Sequence, residues 1–314
     1  MKYAFVFPGQ GSQHIGMGLE LYQNYQTARD VFNEVDEVLS QNLFKLMSEG
    51  SESELMLTSN AQPAIMAVSV ATIRILEKDF GINLKNAVSY VAGHSLGEYS
   101  AACAAGVFSL ATTAKLLRIR GNAMQQAVPA GIGGMVAVLG LSIDEIDALV
   151  EASSDEKSFC VAANDNMDGQ VVLSGHLSAL NKAIQNAAEF GAKKAVMLPV
   201  SAPFHSPLMK PAEPVMEKAL NEAQSADANI PLISNITAMP HTKKEDIILN
   251  LKKQITGKVR WRETMAFLDT ENITDIIEIG PSNVLTNMVK RAYKNIYATA
   301  VHTVHDIEEL AHNL

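Results

Sequence analysis

Short runs of apolar residues alternate along the chain with longer stretches in which apolar and polar residues recur at helical spacing. The first run, Tyr3–Phe7, stops at Pro8-Gly9, and a second, Val88–Gly93, leads directly into an alanine-rich segment. Apolar runs bounded by glycine or proline are typical of buried strands. Because such strands alternate with helical patterns, the sequence predicts a mainly parallel sheet. Further strands are predicted at 232–234 and 275–279, and helices at 17–39, 62–80 and 111–128.

The segment from about Gly133 to Val200 has a different pattern. It predicts a strand, a helix, two strands joined by a polar loop at Asn164–Gly169, a second helix and a final strand. The order β-α-β-β-α-β is that of a ferredoxin-like unit. We therefore predict an α/β fold with a parallel-sheet core, residues 1–130 and 200–314, into which a small ferredoxin-like domain, residues 131–199, is inserted.

Composition and charge narrow the class of protein. The chain is 47% hydrophobic and 19% charged, which is typical of a globular enzyme. Its net charge of −9 argues against binding to nucleic acid. We see no signal-peptide pattern and no apolar stretch that could span a bilayer, so we expect a cytoplasmic protein that does not bind membranes. The two cysteines, Cys103 and Cys160, are expected to be reduced, buried thiols.

The run Gly93-His94-Ser95-Leu96-Gly97 lies between a predicted strand and a predicted helix. This context is what a nucleophile elbow requires, since the sharp turn projects the serine hydroxyl out of the sheet. The alternative is that Ser95 merely caps the helix, but a cap does not need a glycine on each side. We predict that Ser95 is a nucleophile that carries an acyl group. Free backbone N–H groups at the helix start, including that of Leu96, can stabilise an oxyanion.

A serine nucleophile needs a base, and eight histidines are available. His205 is our candidate because it follows a predicted strand, in the loop Ser201–Pro207, which two prolines stiffen. No aspartate or glutamate stands out as the group that orients its ring. A backbone carbonyl or an amide side chain remains open for that role, and Gln254 is a candidate that the sequence alone does not single out.

Arg120 lies on the apolar stripe of the helix predicted at 111–128. A guanidinium that faces the core must find an anion. One alternative is a structural salt bridge to a core carboxylate. The other is that Arg120 binds the carboxylate of a substrate through two hydrogen bonds. In that case the acyl group on the serine would end in a carboxylate.

The loop Pro8–Gln13 follows the first strand and is rich in glycine. It lacks the lysine of a P-loop and the glycine spacing of a dinucleotide site, so nucleotide binding is not expected. A loop in this position can present a backbone N–H opposite the elbow, and Gln10 is our candidate for a second oxyanion donor. The alternative is a plain glycine turn.

Five short motifs occur in order along the chain: Phe7–Gln13, Gly93–Tyr99, Arg118–Gly121, Gly169–Val172 and Phe204–Ser206. On these motifs the chain resembles, over nearly its whole length, the malonyl-CoA:acyl carrier protein transacylases of bacterial type II fatty acid synthesis. The resemblance implies an α/β-hydrolase-like core with a ferredoxin-like small domain.

The resemblance also implies the catalytic roles. Ser95 would attack the thioester of malonyl-CoA with His205 as the base. A backbone carbonyl near Gln254 would orient His205, and the backbone N–H groups of Gln10 and Leu96 would form the oxyanion hole. The phosphopantetheine thiol of acyl carrier protein would then take the malonyl group in a ping-pong exchange.

The same resemblance implies the substrate contacts. Arg120 would hold the malonyl carboxylate, Phe204 would leave little room for a methyl branch, and Asn166 would face the pocket. We expect malonyl-CoA and acyl carrier protein as partners, no cofactor, no metal, and a monomer. A free-standing acyltransferase of a polyketide synthase shares every motif. A serine thioesterase is less consistent with Arg120, since a buried cation has no benefit for a neutral acyl group.

Overall fold

The computed structural model describes residues 1–200 and 202–314, so Ser201, the first residue of the loop predicted before His205, lies outside the described residues. Over this part of the chain ten strands form two sheets. The strands are β1 (Tyr3–Phe7), β2 (Val88–Gly93), β3 (Gly133–Leu139), β4 (Cys160–Met167), β5 (Gln170–His176), β6 (Lys194–Met197), β7 (Leu232–Ile233), β8 (Pro240–His241), β9 (Asp275–Ile279) and β10 (Tyr297–Val301).

Helices cover the faces of the larger sheet and one face of the smaller one. They are α1 (Leu19–Asn24), α2 (Gln26–Leu39), α3 (Leu43–Glu49), α4 (Glu52–Leu55), α5 (Thr58–Lys78), α6 (Leu84–Ala87), α7 (Gly97–Ala104), α8 (Leu110–Gln126), α9 (Ile143–Ser153), α10 (Leu177–Asn186), a 3₁₀ helix (Pro207–Ala212), α11 (Glu213–Glu222), α12 (Lys244–Lys253), α13 (Trp261–Thr270), α14 (Val284–Ala292) and α15 (Val304–Asn313). None of these described helices is both long enough and apolar enough to cross a membrane.

The larger sheet has the strand order β10-β9-β1-β2-β7-β8 and is parallel except for β8. Strands β1, β2 and β9 have the bounds that the apolar runs predict. All five residues of β1 are buried, as expected of a central parallel strand that is covered on both faces. The predicted parallel-sheet core is therefore confirmed. Because the carboxyl ends of β1 and β2 meet at one edge, the loops that follow them are brought together there.

The smaller sheet is antiparallel, with the order β4-β5-β3-β6. Its connectivity is that of the predicted ferredoxin-like unit, and the capping box of Ser142 and Glu145 at the start of α9 is present. All four strands lie between Gly133 and Met197. The domain boundaries at 130/131 and 199/200 stay a prediction.

Two local predictions are wrong. The polar loop predicted at Asn164–Gly169 is a strand as far as Met167, because backbone hydrogen bonds with Val259, at 2.8 and 2.9 Å, hold its first part extended. The helix predicted at 17–39 is two helices, since Tyr25 has an extended backbone with φ −119° and ψ 128°. At the polar segment, contacts between distant parts of the chain override the local polarity pattern.

Candidate active site

The turn between β2 and α7 leaves no room for a side chain at the glycine on either side of it. Ser95 has a φ of 55°, in the left-handed region that side chains other than glycine rarely occupy. A Cβ atom on Gly93 would lie 1.9 Å from the carbonyl of Gly97, and one on Gly97 would lie 2.2 Å from Phe7 O. Both positions therefore require glycine. The strained serine hydroxyl is thus presented at the carboxyl edge of the large sheet, as in a nucleophile elbow.

The predicted base meets the predicted nucleophile. Ser95 Oγ lies 2.7 Å from His205 Nε2. On the other side of the ring, Nδ1 lies 2.9 Å from Gln254 O and 3.2 Å from Gly257 O. Because carbonyl oxygens only accept hydrogen bonds, Nδ1 carries the proton and Nε2 is left to accept one from the serine. The main chain at Gln254, with a second carbonyl at Gly257, thus orients the imidazole without an acid.

The histidine is held in its neutral form. Its side chain is buried, and burial followed by the nearby positive charge of Arg120 lowers the pKa of His205 to about 3. Both effects disfavour the imidazolium. At neutral pH the ring is therefore free to take a proton from Ser95.

Arg120 is buried, with only 2% of its surface exposed, and faces Ser95. Its guanidinium donates to Gln62 Oε1 and Gln254 Oε1, each at 2.8 Å, and to Ser95 Oγ at 3.2 Å. Among the described residues no carboxylate forms an ion pair with it. The structural salt bridge considered from the sequence is therefore wrong. Neutral amides hold the cation in place and leave its charge available to an anion beside the serine.

A cavity of about 550 Å³ opens over the serine. Gln10, Arg120 and Phe204 line it as predicted, and much of the remaining wall is apolar. The other described residues that line it are Gly11, Gln13, Ser53, Met56, Leu57, Gln62, His94, Met135, Asn164, Leu198, Pro199, Val200, Ser95 and His205. The cavity therefore brings the Ser95 hydroxyl and the Arg120 cation together within a largely apolar wall.

The loop that carries Gln10 packs directly against the elbow. His94 N–H donates to Phe7 O at 2.9 Å, and a Cβ atom on Gly9 would lie 2.7 Å from His94 O. Thr58 Oγ1 fixes the Gln10 side chain by a hydrogen bond of 3.1 Å. The end of β1 and the start of α7 thus form adjoining walls of the same cavity.

Asn166 does not face the cavity as predicted. It is buried, and its Oδ1 lies 2.8 Å from His94 Nε2, whereas Asn164 lines the cavity instead. The pairing of β4 with β5 is irregular on both sides of Asn164 and Asp165, and such bulges break the simple alternation of faces along a strand. In the structure Asn166 therefore contacts His94 and does not line the cavity.

Two residues of the site were missed by sequence reasoning. Asn235 accepts a hydrogen bond from Ser95 N–H at 2.8 Å and donates to Gly93 O at 2.7 Å. Glu98, in the first turn of α7, is fully buried and accepts from Gln254 Nε2. The sequence features that could have indicated them are weak. Asn235 follows β7, the strand that pairs with β2, and Glu98 is an acidic residue in an alanine-rich segment.

The fold and the site define an enzyme that transfers acyl groups. A model of the acyl transferase domain family matches residues 4–311. The malonyl CoA-acyl carrier protein transacylase of Bacillus subtilis (strain 168) is 42% identical over 98% of this chain and 95% of its own length. The chain belongs to the malonyl CoA-acyl carrier protein transacylase family and is an acyltransferase.

Solved structures agree with this assignment. The acyl-carrier-protein S-malonyltransferase of Bartonella henselae has 48% sequence identity and a TM-score of 0.97, over 100% of this chain and 99% of its own. A malonyl-transacylase solved in complex with a type II polyketide synthase acyl carrier protein has 36% identity and a TM-score of 0.95, with all of both chains covered. The mixed α/β fold with its two sheets is therefore that of the family.

Proposed function

We propose that this enzyme moves a malonyl group from malonyl-CoA to the phosphopantetheine thiol of an acyl carrier protein, by way of a malonyl ester on Ser95, and so supplies fatty acid elongation. The observation that carries the proposal is the position of Arg120. Its buried cation donates to Ser95 Oγ at 3.2 Å, so an acyl group on that oxygen would place a terminal carboxylate next to the guanidinium. The names of the relatives independently support malonyl as that group.

In the first half-reaction, Ser95 Oγ attacks the thioester carbonyl as His205 Nε2 takes its proton. The carbon–sulfur bond breaks, and the sulfur of coenzyme A leaves with the proton from His205. In the second half-reaction, the carrier thiol gives its proton to His205 and attacks the serine ester. The ester bond breaks, and His205 returns the proton to Ser95 Oγ. Nothing is oxidised or reduced, and His205 carries the proton in each step, so the proposed steps balance without a cofactor or a metal.

We assign the backbone N–H groups of Gln10 and Leu96 to the oxyanion that forms in both half-reactions. Leu96 directly follows the nucleophile, and the loop of Gln10 packs against the elbow from the end of β1. A donor from each wall would face the developing negative charge in a partly apolar cavity, where such hydrogen bonds count most. Phe204, which lines the cavity next to His205, would restrict the space for a methyl branch on the acyl group.

The further expectations about the protein are part of the same proposal. We infer a cytoplasmic enzyme that acts as a monomer and binds acyl carrier protein and malonyl-CoA. One alternative has a specific observation in its favour: the relative solved with a polyketide synthase carrier protein is similar over its whole length. The carrier could therefore belong to either kind of pathway, and transfer rates with the two kinds of carrier protein distinguish them, as would the neighbouring genes.

The test is malonyl transfer from malonyl-CoA to purified carrier proteins of both kinds, with acetyl-CoA and methylmalonyl-CoA in parallel. We expect a malonyl-enzyme adduct, rapid formation of malonyl carrier protein, and slow transfer of the other two acyl groups. A higher kcat/KM with the polyketide carrier protein would favour the alternative. Release of free malonate as the main product, with carrier protein present, would contradict transfer and indicate a thioesterase.

A further inference from the structure

Both backbone polar groups of Ser95 are held by side chains from other loops. Its N–H donates to Asn235 Oδ1 at 2.8 Å, and its carbonyl accepts from Gln254 Nε2 at 2.9 Å. The Ser95 carbonyl also accepts from Glu98 N–H at 3.0 Å. A residue with a φ of 55° keeps that conformation only when its surroundings require it. The two amide side chains therefore clamp the strained elbow.

One carboxylate oxygen anchors both sides of this clamp. Glu98 Oε2 accepts from Gln254 Nε2 at 2.6 Å and from the backbone N–H of Asn235 at 3.2 Å. The Glu98 side chain is fully buried, and its other oxygen, Oε1, has no hydrogen-bond partner among the described residues. Glu98 is also not among the described residues that line the cavity. It can therefore act on the reaction only through its neighbours.

The same oxygen selects the orientation of Gln254. An amide side chain can exchange its oxygen and nitrogen by a half-turn, and the groups around it decide between the two. The Ser95 carbonyl and Glu98 Oε2 both need a donor, so Nε2 faces them. The amide oxygen then faces Arg120, which donates to it at 2.8 Å. Reversal of the amide would leave an acceptor against Glu98 and a donor against a guanidinium.

We propose that Glu98 is a positioning residue for acyl transfer: through Asn235 and Gln254 it holds the Ser95 backbone in its left-handed conformation, with the hydroxyl directed at His205. It touches neither the substrate nor the transferred proton. The inference rests on the proposed function, because the step it assists is the acylation of Ser95.

The experiment measures single-turnover acylation of Ser95 at saturating malonyl-CoA, by mass spectrometry, in Glu98→Leu and Glu98→Gln. In Glu98→Leu we expect the rate constant to fall by about 30-fold, because two buried donors lose their acceptor. In Glu98→Gln we expect a rate within about threefold of wild type. The amide oxygen can replace Oε2, and the amide nitrogen can take the place of the unpartnered Oε1.

Two further measurements separate positioning from other effects. The affinity for malonyl-CoA, measured in a Ser95→Ala background, should not weaken in Glu98→Leu, since Arg120 keeps its charge. Acylation by p-nitrophenyl acetate, a small neutral donor, should slow along with acylation by malonyl-CoA. Thr72→Val is the matched control, because the buried Thr72 hydroxyl donates only to Val68 O within α5, and this variant should react at the wild-type rate.

The proposal is overturned if folded Glu98→Leu is acylated at the wild-type rate, or if Glu98→Gln is as slow as Glu98→Leu. Should Glu98→Leu fail to fold, Asn235→Ala removes one side of the clamp, and we expect acylation slower by about tenfold; a normal rate there overturns the proposal as well. If the wild-type enzyme is acylated by p-nitrophenyl acetate but not by malonyl-CoA, the proposed function is contradicted. The role of Glu98 is then still tested, because the acylation rates of wild type, Glu98→Leu and Glu98→Gln are compared with p-nitrophenyl acetate as the donor.

Discussion

Ser95 and His205, whose side chains meet at 2.7 Å, both have a left-handed backbone, with φ values of 55° and 57°. A conformation of this kind costs about 1 kcal/mol or more for each residue that is not glycine. The rest of the fold stabilises both at once: the Ser95 backbone is bonded to Asn235 and Gln254, and the His205 ring is bonded to two carbonyls. The hydroxyl of Ser95 and the imidazole of His205 are therefore held in place before any substrate arrives.

Ser95→Ala should form no malonyl-enzyme adduct, because the attacking oxygen is gone. Mass spectrometry of the intact protein after incubation with malonyl-CoA checks this directly. Ser48→Ala is a suitable control, since Ser48 is a half-buried serine away from the cavity, and among the described residues its hydroxyl bonds only to Lys45 O in its own helix. A malonyl adduct on the Ser95→Ala protein would assign the nucleophile elsewhere.

Arg120→Ala should weaken malonyl transfer by about 2–4 kcal/mol in kcat/KM, the scale for a charged partner left unpaired. Acetyl transfer should be spared or should rise, since acetyl has no carboxylate. Arg118→Ala is the matched control: that arginine lies on the same helix but donates to Gln41, away from the cavity. Equal losses for malonyl and acetyl would rule out a carboxylate-binding role for Arg120.

His205→Ala should slow acylation by orders of magnitude, whereas His241→Ala, whose ring lies against Thr237, should not. In the wild type, the pKa of His205 is lowered to about 3, so the base stays neutral as the pH falls from 8 to 5. The single-turnover acylation rate should therefore show no loss with a midpoint near 6.5, the ordinary histidine value. Stopped-flow measurement across this range tests it in Glu98→Gln, in which the carboxyl group of Glu98, with its pKa of about 7, no longer titrates. Such a midpoint in that variant would show that His205 titrates normally.

Glu98 should make the stability of the fold depend on pH. Burial raises the pKa of Glu98 from 4.5 to about 7, so between these values the folded state binds a proton that the unfolded state does not. Its contribution to stability is full below pH 4.5 and is lost as the pH rises through 7, by about 3 kcal/mol. Urea denaturation gives the unfolding free energy of wild type minus that of Glu98→Gln. This difference should fall by that amount as the pH rises from below 4.5 to above 7. A difference that rises with pH would contradict the raised pKa.

Much of the site was predictable from sequence because its central feature is local. Strand β2, the turn at Ser95 and helix α7 follow one another directly, and the glycines at 93 and 97 mark the turn that only they permit. Arg120 stood out because a charge on an apolar helical stripe is a local contradiction. His205 could be selected because the serine needed a base and because its loop follows a strand and contains two prolines, but nothing in that loop indicates where its side chain points.

The sequence by itself determined the central strands β1, β2 and β9 and the turn at Ser95, and it predicted Ser95 as the nucleophile, because these depend on neighbours along the chain. Only the tertiary structure decided which carbonyls orient His205, which amides hold Ser95, and that Asn166 faces His94 instead of the cavity. The reason is physical: these are hydrogen bonds between segments that lie far apart in the chain, several of them to main-chain atoms that every residue carries. The residue types involved do not indicate such a hydrogen bond, because its donor and its acceptor come together only when the chain folds.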